Sequence, residues 1–480
     1  MQISTALAAL SGVRKALVAM ATPVNLELLS DMDIEAPKTA SPNDLMVAVE
    51  ADDDPALATA MDLLERELTG PANSPTAGDA SAEAAVAPRL TATAARMVGT
   101  GLALVSTPGR YAFVEAMDAL DAGLSVLIFS DNVPVEQEVR LKQHAAELGL
   151  LVMGPDCGTA VVGGVGLGFA NVVRPGPVGL VAASGTGAQQ MMSLLAAAGV
   201  GISQCLGVGG RDLSAEVGGA STHAALDALD EDPETRFIVV LSKPPAPQVA
   251  DEVRAHAAKL STPVLVAPLG TDAPDLTSVA ENVLRRLDVP VPEWPTWAPK
   301  EAAPAGGGGW LRGLYSGGTL CVEAMVVAAA SLGPIRSNIP LRPEWTMGTV
   351  IDGHMMVDLG SDEYTVGRPH PMLDLGPRLA LLEREAADPR TAVILLDVVL
   401  GHGAHPDPAA DLAPTIRAAL SRPEPLSVVV SLVGTPEDPQ GLSRQAEALS
   451  AAGASTFLSN AAATRHAVSV AQRIATGARS

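Results

Sequence analysis

Short apolar runs alternate with longer amphipathic segments along most of this chain. The runs Leu102–Ser106, Ser125–Phe129 and Val178–Ala183 have the length of buried strands, and Val135–Gly149 carries an apolar stripe at helical spacing. Buried strands that alternate with helices are typical of a parallel sheet covered by helices. The pattern therefore predicts an α/β fold built from doubly wound units.

Stretches of linker-like composition divide this pattern into units. Residues 1–70 combine the apolar segments Val13–Met20 and Leu45–Val49 with a helical segment from about Pro55 to Leu68, which predicts a small α+β module. Residues 71–88 are rich in Gly, Ala, Ser, Pro and Thr, and residues 291–309 are rich first in Pro and then in Gly, as expected of linkers. Three α/β units remain, over residues 89–174, 175–290 and 310–480.

Polar loops follow several of the predicted strands. In the first α/β unit these loops are Thr107–Gly109, Ser130–Pro134 and Gly154–Gly158. Ligands of open α/β sheets bind beyond the carboxyl ends of the strands, where such loops lie. We interpret the three loops as a nucleotide-type site, although each of them could also be an ordinary turn.

A Ser-Gly turn before a helix occurs twice. Ser184, Gly185, Thr186 and Gly187 separate the strand Val178–Ala183 from a helical segment, and the loop Gly207–Asp212 follows the next apolar run. The second Ser-Gly turn consists of Ser316, Gly317, Gly318 and Thr319. A helix N-terminus offers free N–H groups and the positive end of its dipole, which suit a phosphate or a carboxylate. The alternative is a tight turn without a ligand.

The charge balance limits the classes of partner. The 480 residues contain 31 basic and 54 acidic side chains, a formal net charge of −23. A nucleic-acid surface needs clustered Lys and Arg, so nucleic-acid binding is not expected. The three cysteines show no metal-ligand or disulfide spacing, and no apolar run reaches membrane-spanning length. We therefore expect a cytoplasmic protein without a metal site that does not bind membranes.

Histidines supply the candidate chemistry. His402 and His405 share a loop after the apolar run Thr391–Leu400, and a neutral imidazole can accept a phosphoryl group. The alternative is that this loop only caps the next helix. Arg368 and His370 flank Pro369 and could clamp a phosphate or carboxylate, unless Arg368 pairs with a nearby aspartate. The candidate catalytic residues are therefore His405, His370 and Arg368.

Two sets of motifs resemble known families. The segment from STPGRYAF to MGPDCGTAV resembles the CoA-binding domain of the succinyl-CoA synthetase α subunit, and the Ser184 turn resembles that family's ligase domain. Collinear motifs along nearly the whole chain are similar to the FdrA family: ATPVNLELL, SPNDLMVAV, SDNVPVEQE, GFANVV, AASGTGAQ, GGRDLS, SKPPAP, YSGGTL, GRPHPMLD and DVVLGHGAHPDPA.

The resemblance implies a Rossmann-like CoA-binding domain followed by two flavodoxin-like domains of the succinyl-CoA-synthetase type. It implies an acyl-CoA synthetase (NDP-forming) that handles an acyl or carbamoyl phosphate. Alternatives are a subunit of an oxamate carbamoyltransferase and a non-catalytic CoA-binding subunit. It places CoA on Pro108, Ser130, Asn132, Val133, Pro134, Gly154, Pro155, Asp156 and Cys157. The assembly would be a hetero-oligomer or a homodimer.

One departure from the resemblance concerns the phosphohistidine. The succinyl-CoA synthetase α subunit carries it in a Gly-His-Ala-Gly loop of its ligase domain, whereas here the corresponding region reads FIVVLSKPPAPQVADEV and holds Lys243 but no histidine. Any phosphohistidine would then lie in the later unit, with His405 as its candidate. No ATP-grasp-like domain is recognised either, so ATP chemistry would need a partner.

Overall fold

The fold described here is a computed structural model. It describes residues 2–21, 25–26, 29–30, 32, 34–35, 37, 39–40, 44–69, 88, 90–271, 273–297, 309–348, 352–365 and 368–477. Of the two predicted linkers, residues 71–87 and 298–308 lie outside the described residues, whereas Thr296–Trp297 of the second linker forms a short strand. The chain forms two compact units, one of residues 1–87 with 362–369 and one of residues 88–361 with 370–480.

The first unit is built on an antiparallel strand pair. Helix α1 (Gln2–Ala8) precedes β1 (Val13–Met20), which pairs with β2 (Leu45–Ala51), and α2 (Asp54–Thr69) follows. Asp53 caps α2, since its Oδ1 accepts a hydrogen bond from the Ala56 N–H at 2.9 Å. The predicted α+β module is confirmed, and Val13–Met20, which the pattern left open between strand and helix, is a strand.

The second unit begins with a three-stranded parallel sheet. Its strands β3 (Leu102–Val105), β4 (Ser125–Ile128) and β5 (Val152–Met153) lie in sequence order. The helices around them are α3 (Thr91–Val98), α4 (Gly109–Asp121) and α5 (Val135–Leu148). Apolar residues of β3–β5, α4 and α5 form one buried cluster. The predicted elements Leu102–Ser106, Ser125–Phe129 and Val135–Gly149 are present, and each ends one residue earlier than predicted.

A six-stranded sheet follows, with the order β11-β10-β8-β9-β6-β7. Its strands are β6 (Thr159–Val162), β7 (Val165–Gly168), β8 (Pro175–Ala182), β9 (Ile202–Gly207), β10 (Phe237–Ser242) and β11 (Val264–Pro268). Its helices are α6 (Gly185–Ala197), α7 (Ala220–Glu231), α8 (Pro247–Ala257) and α9 (Leu276–Arg286). β8 to β11 are parallel, whereas the β6–β7 hairpin, which the pattern did not predict, pairs antiparallel.

A seven-stranded sheet completes the second unit, with the order β12-β18-β17-β16-β13-β15-β14. Its strands are β12 (Thr296–Trp297), β13 (Trp310–Tyr315), β14 (Ile335–Arg336), β15 (His354–Asp358), β16 (Thr391–Val399), β17 (Ser427–Val433) and β18 (Ser455–Phe457). Its helices are α10 (Gly318–Leu332), α11 (Gly376–Ala387), α12 (Pro408–Leu420), α13 (Leu442–Ala451) and α14 (Asn460–Gly477). All nine residues of β16 are buried.

The strand order places both Ser-Gly turns at points where the winding of a sheet reverses. β8 lies between β9 and β10, and β13 lies between β15 and β16. At such reversals the loops leave opposite faces of the sheet, which opens a crevice beyond the strand ends. The α/β fold class is thus confirmed, and the topology alone marks the ends of β8 and β13 as ligand positions. None of the helices in the described ranges is both long and apolar enough to cross a membrane.

Candidate functional site

The two Ser-Gly turns contact each other. We call residues 184–187 and 316–319 the paired turns. Ser184 is the N-cap of α6, and its Oγ accepts a hydrogen bond from the Gly187 N–H at 3.0 Å. The same oxygen lies 2.6 Å from Thr319 Oγ1 in the first turn of α10. A methyl group on Gly317 would lie 2.7 Å from Thr186 Cγ2, so glycine is required for this approach. The N-termini of α6 and α10 therefore meet.

An internal carboxylate occupies part of the second turn. Asp397 on β16 accepts hydrogen bonds from Ser316 N at 2.8 Å, Ser316 Oγ at 2.9 Å and Gly317 N at 2.8 Å. Arg378 Nη1 pairs with the same carboxylate at 2.8 Å. Burial raises the pKa of Asp397, while Arg378 and these donors oppose the shift. The predicted anion-binding groups of Ser316 and Gly317 are thus already bound to the protein itself.

The accessible part of the paired turns is smaller than the sequence indicated. Ser184, Gly187, Ser316, Gly317 and Thr319 are buried, whereas Gly185, Thr186 and Gly318 are partly exposed. These three residues open the two helices, where N–H groups lack partners within the helix. An external anion would therefore meet the first N–H groups of α6 and α10.

A second carboxylate lies beside the N-terminus of α10. A methyl group on Gly318 would lie 2.6 Å from Asp358 Oδ2 at the end of β15. Burial raises the pKa of Asp358 to about 6, the Gly360 N–H opposes this shift, and Asp397 adds to it. Lys243, exposed at the end of β10, lowers the same pKa and is therefore the nearby cation.

His370 faces this group of residues. A methyl group on Gly360 would lie 2.8 Å from His370 Nε2 and 2.5 Å from the Ser316 carbonyl oxygen. His370 Nδ1 accepts a hydrogen bond from the Met372 N–H at 3.2 Å, which assigns the proton of a neutral ring to Nε2. Burial, together with Arg378, lowers the pKa of His370 to about 4. The Phe169 ring packs against it at 5.3 Å between centroids.

The other predicted catalytic residues have different surroundings. His405 Nε2 lies 3.3 Å from Asp411 Oδ2, and its Nδ1 accepts a hydrogen bond from the Asp407 N–H at 3.2 Å. Asp407 is the N-cap of α12. Both ring nitrogens of His405 thus have partners around the start of α12. Arg368 is exposed and clusters with the first unit. The catalytic roles of His405 and Arg368 stay predictions.

The loops predicted to bind CoA contact each other at one edge of the first sheet. A methyl group on Gly109 would lie 2.1 Å from the Asp131 carbonyl oxygen, so the first and second loops touch. The Asp156 N–H donates to the Ser130 carbonyl oxygen at 2.9 Å and joins the second loop to the third. The three loops therefore form a continuous rim beyond the carboxyl ends of β3, β4 and β5.

The predicted CoA residues divide by exposure. Exposed at the rim are Pro108, Asn132, Pro134 and Asp156, and buried beneath it are Ser130, Val133, Gly154, Pro155 and Cys157. Burial raises the pKa of the Cys157 thiol to about 12, so it remains protonated at neutral pH and is a packing residue. Ligand contacts at this rim would fall to its exposed residues and to backbone groups.

Asp358, Asp397 and Phe169 were missed by sequence reasoning. A single aspartate within the apolar strand Thr391–Val399 was a usable signal, because a charged residue is rarely buried without a partner. Phe169 lies in the motif GFANVV, but its contact with His370 could not be predicted from the sequence, and no signal of this kind marks Asp358. Among the described residues, no group of three or more His, Cys, Asp or Glu side chains is arranged to hold a metal ion.

We predict that Asp358→Asn stabilises the protein increasingly as the pH rises from about 4 to about 6. The folded-state pKa of about 6 exceeds the ordinary aspartate pKa of 3.8, so the folded protein keeps this carboxyl protonated to higher pH than the unfolded chain does, and ionisation of Asp358 costs stability as the pH rises. Above pH 6 the increase in the free energy of unfolding caused by Asp358→Asn should reach a constant value of about 2 to 3 kcal/mol. Urea unfolding across this pH range measures it. The exposed Asp251→Asn is the matched control, and equal pH dependence of both variants would contradict the prediction.

Two family models match the chain. The CoA-ligase model matches residues 314–470, which contain the second Ser-Gly turn and most of the seven-stranded sheet. A model described as the heavy metal-associated domain of AllF matches residues 1–86. No Cys or His occurs in the sequence before His144, so those 86 residues offer neither thiolate nor imidazole ligands.

Curated relatives cover the chain to different extents. The uncharacterized protein YahF of Escherichia coli is 37% identical over 483 residues, 94% of this chain and 92% of that protein. The malate–CoA ligase subunit alpha of Methylorubrum extorquens is 28% identical and matches 36% of this chain and 60% of its own length. Succinate–CoA ligase subunit alpha 2 of Archaeoglobus fulgidus is 27% identical, with 31% of this chain and 52% of its own length matched.

The near full-length match to YahF establishes a common family. The match to the CoA-ligase model and the similarity to ligase α subunits show that this family is related to CoA ligases. The chain therefore belongs to the succinyl-CoA-synthetase-like family that includes Escherichia coli YahF, and it is CoA-ligase-like.

Proposed function

We propose that this protein is an acyl-CoA synthetase subunit of the FdrA type that exchanges CoA and phosphate on an acyl group. The contact between the paired turns carries the proposal. Ser184 Oγ and Thr319 Oγ1, which are 135 residues apart in sequence, lie 2.6 Å apart and bring two helix N-termini to one place. The first N–H groups of α6 and α10, a neutral imidazole and Lys243 supply donors and a cation for a phosphate group, while the Asp358 carboxylate opposes its charge.

The proposed step is acyl transfer between oxygen and sulfur. In the synthetic direction the CoA thiolate attacks the carbonyl carbon of an acyl phosphate, a C–S bond forms, and the C–O bond to phosphate breaks. The phosphate leaves with its charge stabilised by the first N–H groups of α6 and α10. In the reverse direction, phosphate attacks an acyl-CoA and releases CoA thiolate, which takes a proton from water.

His370 is proposed to bind the phosphate as a hydrogen-bond donor. Because Nδ1 accepts from the Met372 N–H, the neutral ring carries its proton on Nε2, the nitrogen directed towards Gly360. A ring with a pKa of about 4 keeps this neutral form at pH 7. The His405 ring has the same arrangement: its Nδ1 accepts a hydrogen bond from a backbone N–H, and its Nε2 points towards Asp411. We therefore propose that neither histidine needs to become phosphorylated for acyl transfer.

CoA is proposed to bind at the rim formed by residues 107–109, 130–134 and 154–157. The resemblance of these loops to the CoA-binding domain of ligase α subunits supports this assignment, as do the relatives named as α subunits of CoA ligases. Because those relatives are named as subunits, we propose a hetero-oligomer in which a partner supplies the nucleotide-dependent step. ATP is then a substrate of the assembly, while this chain handles the acyl phosphate.

We predict that the isolated protein releases CoA from an acyl-CoA when arsenate or phosphate is added. Arsenate is the better probe because acyl arsenates hydrolyse at once and make the exchange irreversible. The thiol of the released CoA is measured by its reaction with a chromogenic disulfide. The protein's three cysteines are buried and contribute little background. The panel contains acetyl-CoA and succinyl-CoA, with carbamoyl phosphate plus oxamate as a separate arm.

Thr319→Val should lower this rate roughly 10- to 100-fold, because it removes the hydrogen bond that aligns the two helices. Thr235→Val is the matched control, since Thr235 Oγ1 and Ser203 Oγ form another buried pair at 2.6 Å. This pair lies at the amino ends of β9 and β10, away from the paired turns. Equal loss in both variants would show a general effect on folding. Anion-independent CoA release, or carbamoyl transfer alone, would refute the proposal.

We also predict different effects of the two histidines. His370→Ala should raise the KM for arsenate about tenfold or more, and His370→Gln should recover part of this loss because its amide N–H replaces Nε2–H. His405→Ala should leave the KM near the wild-type value. The comparison uses the same thiol assay at pH 7. A large effect of His405→Ala with no effect of His370→Ala would return the catalytic role to His405.

A further inference from the structure

The predicted CoA rim lacks cations. Its three loops, Thr107–Gly109, Ser130–Pro134 and Gly154–Cys157, contain no Lys or Arg and two aspartates. CoA carries a pyrophosphate and a 3′-phosphate, so its charge needs compensation from outside these loops. Arg110 follows the first loop, and its guanidinium lies over the Tyr111 ring at 4.8 Å. The loop Gly207–Asp212 after β9 offers another cation, Arg211.

This fourth loop runs along two of the rim loops. A methyl group on Gly209 would lie 2.4 Å from the Pro155 carbonyl oxygen, and Gly209 has a φ of +87°, so glycine is required at this contact. Arg211 Nη2 donates a hydrogen bond to the Val133 carbonyl oxygen at 2.7 Å. One loop of the second sheet thus contacts both the Ser130–Pro134 loop and the Gly154–Cys157 loop.

A buried charge cluster fixes this loop. Lys142 on α5 pairs with Glu138 at 2.8 Å and with Asp212 at 2.7 Å, and all three side chains are at most 1% exposed. Asp212 in turn accepts hydrogen bonds from the backbone N–H groups of Ser221 and Thr222 at the start of α7. Asp212, the residue after Arg211, is therefore fixed against both α5 and α7.

The same cluster orients the Arg211 guanidinium. Arg211 Nη2 lies 2.9 Å from Glu138 Oε2, while 48% of the Arg211 side chain remains exposed. Two acidic and two basic groups balance the cluster, so removal of Arg211 would leave it with an excess negative charge beneath the rim. A guanidinium held from one side can present its remaining N–H groups in a fixed plane to a phosphate.

We propose that Arg211 binds a phosphate group of CoA at this rim, and this inference rests on the proposed function. Its partner is the pyrophosphate or the 3′-phosphate, which share the chemistry that a guanidinium recognises. The two glycines before Arg211 let the loop approach the rim closely enough for a side chain of this length to reach over it. Arg211 thereby sets the preference for CoA over uncharged thiols such as pantetheine.

Calorimetric titration of the full-length protein with CoA, dephospho-CoA and pantetheine tests this inference. Arg211→Gln should weaken CoA binding about tenfold or more and leave pantetheine binding unchanged. Arg211→Lys should weaken CoA binding less than Arg211→Gln does. The matched control is Arg254→Gln, because Arg254 is similarly exposed and pairs with Asp251 at 2.9 Å on α8. An equal loss for dephospho-CoA assigns the contact to the pyrophosphate, and no loss for dephospho-CoA assigns it to the 3′-phosphate.

Two outcomes would overturn the assignment of Arg211 alone. One is wild-type affinity of Arg211→Gln for CoA, and the other is an equal loss for CoA and pantetheine, which would indicate distortion of the loop. Absence of CoA binding by the unsubstituted protein would overturn the proposed CoA site and this inference with it. Thermal unfolding of each variant confirms that the compared proteins are folded.

Discussion

The contact between the N-termini of α6 and α10 is the constraint on which the rest of the site depends. The positive dipole ends of two helices that meet at their N-termini repel each other, and interactions with such terminal charges are worth up to about 2 kcal/mol where they are partly buried. The chain places the Asp397 carboxylate at the second terminus, where it accepts hydrogen bonds from the Ser316 and Gly317 N–H groups and offsets this repulsion. A phosphate at the exposed residues Gly185, Thr186 and Gly318 would offset it further.

The same constraint connects the two proposed ligand sites. The loop after β9 carries Arg211 to the rim of the first sheet, and the hairpin β6–β7 leads into Phe169, which packs on His370. A methyl group on Gly185 would lie 3.1 Å from Thr159 Oγ1 at the start of this hairpin. The β6–β7 hairpin, which begins two residues after Cys157 of the third rim loop, thus contacts the first of the paired turns. An acyl group carried by CoA would need this proximity to reach a phosphate.

Much of this arrangement was predictable from local sequence. Apolar runs predicted the strands β3, β4, β8 and β16, and the Ser-Gly turns were identified as helix starts. The β6–β7 hairpin was missed because its strands have four residues each and one of them contains two glycines. The pairing of the turns depends on sheet order and on contacts 135 residues apart, which no local pattern encodes. His405 was favoured because of its position on a glycine-rich loop, but spacing could not reveal its partners Asp407 and Asp411.

A crystal structure of the protein grown with phosphate and CoA tests the central claim most directly. We expect one phosphate whose oxygens lie about 2.7–3.2 Å from N–H groups of both paired turns, Gly185 or Thr186 on one side and Gly318 or Thr319 on the other. A phosphate held by a single turn, or phosphate bound only elsewhere while the paired turns stay empty, would contradict it.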